Sequence, residues 1–567
     1  MPARGQSYFS LLGELTVALW RRTAAPFRVP WRRSWFYRLQ LRGRMPARIG
    51  IYPHDFSARR LEDADALLKG RFRFNGEVIE VKDGSIFDKR PPSNAWRDAL
   101  QSFAWLTPLS AAGGDPARVL ATNLINQWLK RNARYSEPAW RADVLGRRLI
   151  NLFAHGRFVI AKSELLWRSR LLVSLREQSR MLARISKEAP DGLPRLEAAA
   201  AHALSGICLD DSPKRLASGL ERLEQEMARQ ILPDGGHVSR SPEALLCAYQ
   251  LMATVADAMD LARRPLPPSL RSARDRMAPM VRFFRLGDGS LAMFNGGREG
   301  DAKSIAALLA RDEVRGQPFA YAPRSGYQRL TAGRTLLVMD CGGPPPGVFA
   351  STAHAGCLSF EFSTGNQRIV VNCGASPNNA RWRNALRATA AHSTITIADR
   401  SMAGLMNGRF AKLLGPRLLG GPENITSNRQ ETAGGWSMDS VHDGYMRAFG
   451  VMHERRLTLS PTGKLLSGED RLLPKGPRGS RDAIPFAARF HIHPDIRVSP
   501  SQGGGAILKL ASGEGWRFQA SGGELQIEKS IYVAGDAVRN CEQLVVSGLL
   551  RSEPAEIGWV FERMAAA

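Results

Sequence analysis

The apolar residues of this chain change their spacing once, and that change limits the folds open to it. From about residue 92 to residue 286 they recur every three or four positions, the pattern of helices with one buried face. Pro, Gly and Asp clusters separate the segments that show it most clearly, which are 116–132, 139–158, 162–186, 193–209, 213–231 and 241–263. Successive helices with short links predict antiparallel helical hairpins.

After about residue 326 the spacing becomes two, which is the pattern of half-buried strands. Gly, Asn and Pro bound the runs that show it, which include 334–340, 357–363, 368–373, 393–398 and 453–459. Many strands without long helices between them predict an antiparallel sandwich. The chain is therefore predicted to be an α+β multidomain protein, with helices first and a large antiparallel β-sandwich second.

Three regions follow from this pattern. Residues 1–91 form a basic N-terminal segment that Pro26 and Pro30 break up, with a short hairpin at 71–91. Residues 92–325 form the helical domain, and residues 326–567 form the sandwich domain. The mixture of Trp, Phe and Leu with many Arg near the N-terminus leaves two interpretations open: contact with a membrane surface, or a terminal helix docked on the body.

The charge of the chain favours an anionic partner. Its 567 residues carry a formal net charge of +26, and such a field attracts nucleic acid, anionic lipid or acidic polysaccharide. The alternative is an Arg-rich surface without a specific partner. No helix-turn-helix, zinc-finger or RNA-recognition signature occurs, so no specific nucleic acid is predicted as a partner. The sequence predicts no oligomeric state.

The cellular location of the protein and the redox state of its cysteines are predicted from signals that the sequence lacks. It has no clear signal peptide, which favours the cytoplasm, with the periplasm as the alternative. No apolar run of about 18 residues predicts a transmembrane segment. The six cysteines form no Cys-x-x-Cys pair, so we expect buried free thiols rather than a zinc knuckle or a disulfide framework.

Three polar stretches carry residue types suited to chemistry on an acidic sugar. In the first, an Asp-Gly-Gly turn presents His237 and Arg240; Arg can pair a carboxylate and His can move a proton, although a turn that only joins helices fits equally. The second holds three groups suited to a metal, a substrate carboxylate or a structural role: His354, Asn372 and His392. The third, 442–493, holds four of the ten histidines.

Together these stretches resemble the heparinase II/III family of polysaccharide lyases. The similarity rests on modest motifs that occur in the family's order between about residues 90 and 500. They are Asp234-Gly-Gly-His with Arg240-Ser-Pro, His354-Ala-Gly-x-x-Ser-Phe, Val371-Asn-x-Gly374, Thr389-Ala-Ala-His392-Ser-Thr, His442-Asp-Gly-Tyr445, Gly468-Glu-Asp470 and Phe490-His-x-His493-Pro494. The resemblance implies an incomplete α/α toroid, a β-sandwich and a substrate cleft between them.

Members of that family cleave uronic-acid polysaccharides by β-elimination. The reaction needs a group that neutralises the uronate carboxylate, a base that takes the C5 proton and an acid that protonates the leaving oxygen. The resemblance therefore implies a carbon–oxygen lyase acting on an acidic polysaccharide or oligosaccharide. For a rearranged catalytic set we expect catalytic roles for His202 as base, His237, and Tyr445 as acid, and substrate binding by Arg240, Arg147, Arg148 and Tyr249. The resemblance implies metal binding by His354, Asn372 and His392.

The chain departs from the family's pattern at four positions. Ala201 replaces the asparagine that precedes the histidine at 202, and Ala244 stands about where the family has its tyrosine. Thr352 replaces the first histidine of a His-x-His, and Asn372 replaces a metal-binding aspartate. Loss of an anionic ligand weakens a zinc site, so we expect no required cofactor and at most a weak structural zinc. The alternative function is a catalytically degenerate member that binds or helps process an acidic polysaccharide without cleaving it.

Overall fold

The chain divides into two compact units. The computed structural model describes residues 8–43, 46, 48–57, 61–209, 212–311, 318–376, 379–432, 434–475, 483–535 and 537–565. The helical unit comprises Val17–Ile231 and Cys247–Asp275, and the sandwich unit comprises Met1–Thr16, Leu232–Leu246 and Arg276–Ala567. The chain therefore leaves the helical unit for the fifteen residues Leu232–Leu246 and then returns to it.

Helices make up most of the first half, and the prediction of a helical first domain is confirmed. They are α1 (Tyr8–Arg33), α2 (Trp35–Leu41), α3 (Leu61–Leu68), α4 (Asn94–Gln101), α5 (Leu106–Ala112), α6 (Gly114–Arg131), α7 (Ala142–Ala154), α8 (Gly156–Ile160), α9 (Leu165–Ile185), α10 (Leu193–Cys208), α11 (Pro213–Gln230), α12 (Pro242–Leu261) and α13 (Pro268–Phe284). A short hairpin of β1 (Arg71–Phe74) and β2 (Glu77–Glu80) precedes α4.

The N-terminal segment differs from its predicted irregular form, because α1 continues through Pro26 and Pro30. A proline removes one backbone hydrogen bond, but its fixed φ lies in the helical range, so it weakens a helix without always ending it. The helix instead ends before Ser34. The hydroxyl of that serine accepts a hydrogen bond from Tyr37 N at 3.2 Å and caps α2.

Close packing of α10 against α7 and α11 dominates the helical unit. The alanine-rich stretch of α10 from Ala198 to Leu204 is wholly buried. Glycines on both neighbours lie against its backbone: a Cβ at Gly146 would come within 3.0 Å of Ala198 Cα, and one at Gly219 within 2.7 Å of Ala203 Cα. Small residues on both sides therefore let these helices approach more closely than larger side chains allow.

Strands make up most of the second half, as the alternating pattern predicts. They are β3 (Tyr321–Ala322), β4 (Tyr327–Ala332), β5 (Thr335–Asp340), β6 (Phe360–Thr364), β7 (Gln367–Val371), β8 (Ile395–Ile397), β9 (Gly404–Leu405), β10 (Leu418–Leu419), β11 (Ile425–Thr432), β12 (Gly435–Tyr445), β13 (Val451–Leu459), β14 (Leu465–Pro474), β15 (Ile484–Ile492), β16 (Arg497–Pro500), β17 (Ala506–Lys509), β18 (Gly515–Ser521), β19 (Glu524–Tyr532), β20 (Arg539–Leu550) and β21 (Ala555–Arg563). Short helices also occur: α14 (Ala302–Ala310), α15 (Ala380–Ala385), α16 (Gly408–Leu414) and α17 (Met446–Phe449).

Two large antiparallel sheets form the sandwich. One has the strand order β11-β12-β13-β14-β21-β18-β17-β16, and the other β19-β20-β15-β7-β6-β5-β4-β3, with β8 pairing β15 beside that order. Their inward-facing side chains share one core, in which Phe360 stacks on Trp559 with ring centroids 5.5 Å apart. The predicted antiparallel β-sandwich is confirmed.

The structure also bears on the predictions for the cysteines and for membrane spans. All six cysteines are free thiols, and four of them are buried. Within the described residues, α12 alone is long and apolar enough to cross a membrane, and 61% of its most apolar window is buried inside the protein. Burial of that extent is typical of a core helix.

Candidate functional site

The turn at Leu232–Leu246 is held by hydrogen bonds to the start of the sandwich. Asp234 Oδ2 accepts hydrogen bonds from Arg324 N at 2.9 Å and from Ser325 N at 2.7 Å. Gly235 has a φ of +89°, and a Cβ there would lie 2.0 Å from Arg276 O, so only glycine fits. The predicted Asp-Gly-Gly turn is therefore present, and it belongs to the sandwich unit.

Arg240, predicted to hold a substrate carboxylate, is committed to structure. It is 8% exposed, and its guanidinium pairs with Asp340. Its remaining donors bind backbone carbonyls of the β3–β4 turn and of the segment after β5, with distances of 2.8 Å to Ser325 O, 3.1 Å to Gly326 O, 2.9 Å to Gly342 O and 2.8 Å to Gly343 O. This side chain fastens the turn to the sandwich.

His237 follows the glycines of the same turn and is 3% exposed. Its Nδ1 accepts a hydrogen bond from Ser239 N at 3.1 Å, and its ring packs edge-on against Phe349. Burial lowers the pKa of His237 to about 4, so the imidazole is neutral near pH 7. Its environment is that of a histidine that orders the turn.

His202, the predicted base, lies in the contact between α10 and α11 and is 1% exposed. Its Nε2 lies 3.3 Å from Ser218 Oγ, and its Nδ1 has no hydrogen-bond partner among the described residues. Burial, with a smaller contribution from Arg222 and Arg215, lowers its pKa to about 3. A base at this position would reach a sugar only if two closely packed helices separated.

Tyr445, the predicted acid, ends β12 inside the sandwich core with 1% exposure. Its hydroxyl donates to Ile395 O at 2.6 Å, and burial raises the pKa of the phenol above its usual range. Tyr249, on α12, is 2% exposed. Neither ring presents a hydroxyl on the surface of its own unit.

The two arginines predicted on a cleft-lining helix differ in exposure. Arg148 is fully buried: its Nε donates to Gln178 Oε1 at 2.8 Å, and its guanidinium lies 4.2 Å from the centroid of the Trp128 ring. Arg147, one position earlier on α7, points outward with 47% of its side chain exposed and pairs with Glu197 at 2.5 Å. Of this predicted pair, Arg147 alone can meet a ligand at the surface.

His354 and His392 come together, as their motifs suggest. His392 Nδ1 donates to Ala388 O at 2.8 Å, which leaves its Nε2 as an acceptor. His354 Nδ1 lies 3.1 Å from that Nε2 and therefore donates to it. Asn372 lies beside them: its Oδ1 accepts from Ser393 N at 3.0 Å, and its Nδ2 lies 3.3 Å from Glu361 Oε1.

These three residues do not fit the zinc ion that the family resemblance implies. The facing imidazole nitrogens share a hydrogen, and the amide oxygen of Asn372 is bound to a backbone N–H. No group of three His, Cys, Asp or Glu side chains that could hold a metal occurs in the described part of the chain. Zinc favours a closed set of four ligands, and a neutral amide supplies no negative charge.

Comparison with known proteins identifies the family of this chain. A family model described as "Heparinase II/III-like, C-terminal" matches residues 314–560. The solved structure of heparinase III aligns with a TM-score of 0.70 at 14% identity, covering 93% of this chain and 89% of that one. A heparan sulfate lyase HepC mutant from Pedobacter heparinus aligns with a TM-score of 0.61 at 16% identity, covering 94% and 88%. The chain belongs to the heparinase II/III family.

Within curated proteins, this heparinase II/III family member is similar to FtsZ-localized protein C from Caulobacter vibrioides (strain NA1000 / CB15N). The two are 33% identical over 555 residues, which is 95% of each chain. The similarity therefore extends through both units. The lyase structures, at 14–16% identity, support the fold alone.

A basic segment that the motifs did not single out surrounds His392 in this family member. Residues 379–420, here called the basic insert, lie between β7 and β11 and carry seven Lys or Arg and one acid, Asp399. Five of the cations are exposed and form no ion pair among the described residues: Arg381, Arg383, Arg400, Arg409 and Lys412. Local charge counting would have found this segment, because its net charge of +6 in 42 residues exceeds the chain average of +26 in 567.

Arg387 orders the segment that carries His354. It is 3% exposed, and its guanidinium donates to Ala353 O at 2.8 Å, Ala350 O at 3.0 Å and Pro416 O at 2.6 Å. Its own carbonyl accepts from Ala355 N at 2.9 Å. Sequence spacing gives no signal for this role, because the carbonyls that it binds come from segments 29 to 37 residues away.

Proposed function

We propose that this protein binds an acidic polysaccharide or oligosaccharide without cleaving it. The observation that carries the proposal is the burial of the groups that a β-elimination would use. His202 and Tyr445 are each 1% exposed, and Arg240 is 8% exposed with its donors bound inside the protein. The protein would then have the heparinase II/III fold without the family's reaction.

The chemistry supports this choice over a lyase. A base must come within hydrogen-bond reach of the C5 proton, about 3 Å between heavy atoms, and a second group must neutralise the carboxylate. Among the predicted catalytic and metal residues, His354 keeps some exposure. One imidazole supplies one of the three functions that the elimination needs. The proposal requires no metal ion.

The basic insert supports binding. Its exposed cations form no ion pair among the described residues, so they can pair with an incoming anionic chain without first breaking an ion pair there. Such contacts between solvated charges weaken as salt rises, because the screening length is about 8 Å at physiological ionic strength. We therefore expect binding that depends on charge density more than on the identity of the sugar.

The test combines a binding assay and a product assay on the same heparin, heparan sulfate and polygalacturonate chains. We expect wild-type protein to bind at low salt, to release the chains as salt rises, and to form no unsaturated uronate, which is detected by its ultraviolet absorbance. The variant Arg381→Glu/Arg383→Glu/Lys412→Glu should bind at least about tenfold more weakly, because each reversal replaces an attraction by a repulsion.

A matched charge reversal in the helical unit is the control. Lys69→Glu/Lys89→Glu/Arg90→Glu changes the net charge equally at exposed positions that form no ion pair among the described residues. It should retain most of the affinity. Unsaturated product from the wild-type protein would overturn the non-cleaving assignment, and equal losses in the two variants would overturn the assignment of the surface.

We further propose that the protein localises with FtsZ. The support is the relative named FtsZ-localized protein C, which is 33% identical over 95% of this chain. Co-sedimentation of the purified protein with FtsZ filaments assembled with GTP tests this directly. We expect the protein in the pellet with filaments and in the supernatant when GDP replaces GTP. A protein that stays in the supernatant under both conditions would contradict the proposal.

A further inference from the structure

A polar cavity of about 500 Å³ opens on the sandwich unit. Its walls come from the segment between α13 and α14, the β6–β7 turn, the segment after β15 and the loop between β19 and β20. All of these segments belong to the sandwich unit, and none of them is part of the basic insert. The volume lies in the range of small-ligand pockets, about 300–1,000 Å³, and is too large for a single ion.

A buried arginine beneath this cavity holds two of its acidic side chains in place. Arg368 Nε donates to Asp288 Oδ2 at 2.9 Å, and its Nη1 lies 3.4 Å from Glu299 Oε1. The Tyr532 hydroxyl also donates to Glu299. Because these carboxylates are fixed before a ligand arrives, they can accept hydrogen bonds from it with little further loss of side-chain entropy.

Three polar groups at the cavity have no hydrogen-bond partner among the described residues: the Asn366 amide, Gln367 Nε2 and His493 Nε2. The other end of each constrained side chain is engaged, since Gln367 Oε1 accepts from Ser512 Oγ at 3.1 Å and His493 Nδ1 accepts from Asp495 N at 3.3 Å. Burial lowers the pKa of His493 to about 4, so the ring is neutral and carries its hydrogen on Nε2. The cavity therefore offers free donors beside its fixed acceptors.

The charges of the lining disfavour an anionic ligand. Three carboxylates line the cavity, those of Asp288, Glu299 and Asp495, against the two guanidiniums of Arg368 and Arg539. Both guanidiniums are already paired with these acids, Arg539 with Asp495 at 2.5 Å. A phosphate or a uronate would therefore meet net negative charge here, although the chain as a whole carries +26.

We infer that this cavity binds an uncharged saccharide unit. The hydroxyl groups of a sugar donate to fixed carboxylates and accept from amide and imidazole N–H groups, so one ligand satisfies both kinds of partner. Small apolar side chains complete the lining: Ile496, Ala511, Ala534 and Ala537. A simple amine fits less well, because it would use the carboxylates and leave the free donors unpaired. The cavity uses none of the residues of the proposed polysaccharide site.

Ligand-observed NMR on the full-length protein tests the inference with five sugars as probes. Glucose, galactose and N-acetylglucosamine are uncharged, glucosamine adds a cationic amine, and glucuronate adds a carboxylate. We expect at least one uncharged sugar to bind, and glucuronate to bind at least about tenfold more weakly than that sugar, because like charges repel.

Salt separates this site from the proposed polysaccharide site. Binding of the uncharged sugar should persist at about 0.5 M salt, where contacts between solvated charges are screened and the acidic polysaccharide should be released. The triple charge reversal of the basic insert should likewise keep the sugar affinity of the wild type. A failure of one site therefore leaves the other measurable.

The free amides offer a substitution with a matched control. Asn366→Ala/Gln367→Ala should weaken sugar binding at least about tenfold, because it removes two partners of the ligand. Asn428→Ala/Gln430→Ala removes the same two residue types from exposed positions of β11 and should bind as the wild type does. β11 ends the eight-stranded sheet on the side opposite β16 and β17, and Ala511 of the cavity follows β17.

Four results would overturn the inference. The first is wild-type protein that binds none of the three uncharged sugars. The second is binding of glucosamine alone, which would make the cavity an amine site. The third is glucuronate binding as tightly as the uncharged sugars, and the fourth is an equal loss of affinity in the Asn428→Ala/Gln430→Ala control.

Discussion

The buried pair of Arg240 and Asp340 decides the position of the turn at Leu232–Leu246. Asp340 also accepts hydrogen bonds from Gly342 N at 3.0 Å and from Asn295 Nδ2 at 3.2 Å, so both oxygens of its buried carboxylate are hydrogen-bonded. The Tyr327 hydroxyl donates to Arg240 O at 2.6 Å, and the guanidinium lies over the Tyr327 ring, 4.9 Å from its centroid. Removal of either charge would leave the other buried without a counterion.

We therefore expect Arg240→Ala to lower the free energy of unfolding by about 3–5 kcal/mol, the usual effect of breaking a buried ion pair. Urea unfolding followed by tryptophan fluorescence measures it. Arg517→Ala is the control, because Arg517 pairs with Glu562 where both side chains are about 45% exposed, and it should change the free energy by less than about 1 kcal/mol. Equal effects of the two substitutions would show that Arg240 does not stabilise the fold as a buried ion pair, and it would again be a candidate for ligand binding.

At the scale of elements, α10 and α11 are joined through their smallest residues. Gly206 of α10 and Gly219 of α11 each face the backbone of the other helix, where an added Cβ would come within 2.5 Å of Leu216 Cα and 2.7 Å of Ala203 Cα respectively. His202 is enclosed by this contact. The spacing of apolar residues predicts both helices, but it does not predict how closely their axes approach.

Gly219→Ala should destabilise the protein by about 1–3 kcal/mol, because the added methyl group forces two backbones apart. Ala is otherwise the better helix former, so a gain in stability would show that the contact can relax. Lys214→Ala, an exposed position on the same helix, should stay within about 0.5 kcal/mol of the wild type. Thermal and urea unfolding of the three proteins side by side gives the comparison.

At the scale of the whole molecule, both units contain buried neutral histidines. Burial lowers the pKa of His202 to about 3 and that of His237 to about 4. It also lowers the pKa of His442 and His453, which form a buried chain: His442 Nε2 donates to His453 Nδ1 at 3.2 Å, and His453 Nε2 donates to Asp470 at 2.8 Å.

Acid should therefore destabilise the protein well before carboxylates titrate. A depressed histidine pKa in the folded state means that the unfolded chain takes up protons first as the pH falls below about 6.5. Stability should be complete above that pH and fall toward about pH 4, by up to about 1.4 kcal/mol per pH unit for each such histidine. Urea midpoints measured at constant ionic strength across this range give the slope; a flat profile would mean that these histidines accept protons in the folded state.

The fold was predictable from the sequence because periodicity reports which face of each element is buried, and that holds in both units. The site was less predictable. The motifs pointed to His354 and His392 as a pair, and their ring nitrogens lie 3.1 Å apart. They could not report that Arg240, Arg148 and Tyr445 are enclosed, because burial depends on side chains that arrive from distant segments. Arginine and tyrosine can line a binding cleft or lie buried in a core, and the sequence alone does not distinguish the two.

The excursion at Leu232–Leu246 has a consequence for synthesis on the ribosome. Arg240 is made a hundred residues before its counterion Asp340, and α12 begins within the excursion, at Pro242. The segment Leu232–Leu246 therefore cannot reach its final state until the chain has been extended through β5, and Arg240 lacks its counterion during that interval. Domains usually fold as units in order of synthesis, so this chain should need protection from aggregation longer than a protein whose domains are cut at one boundary.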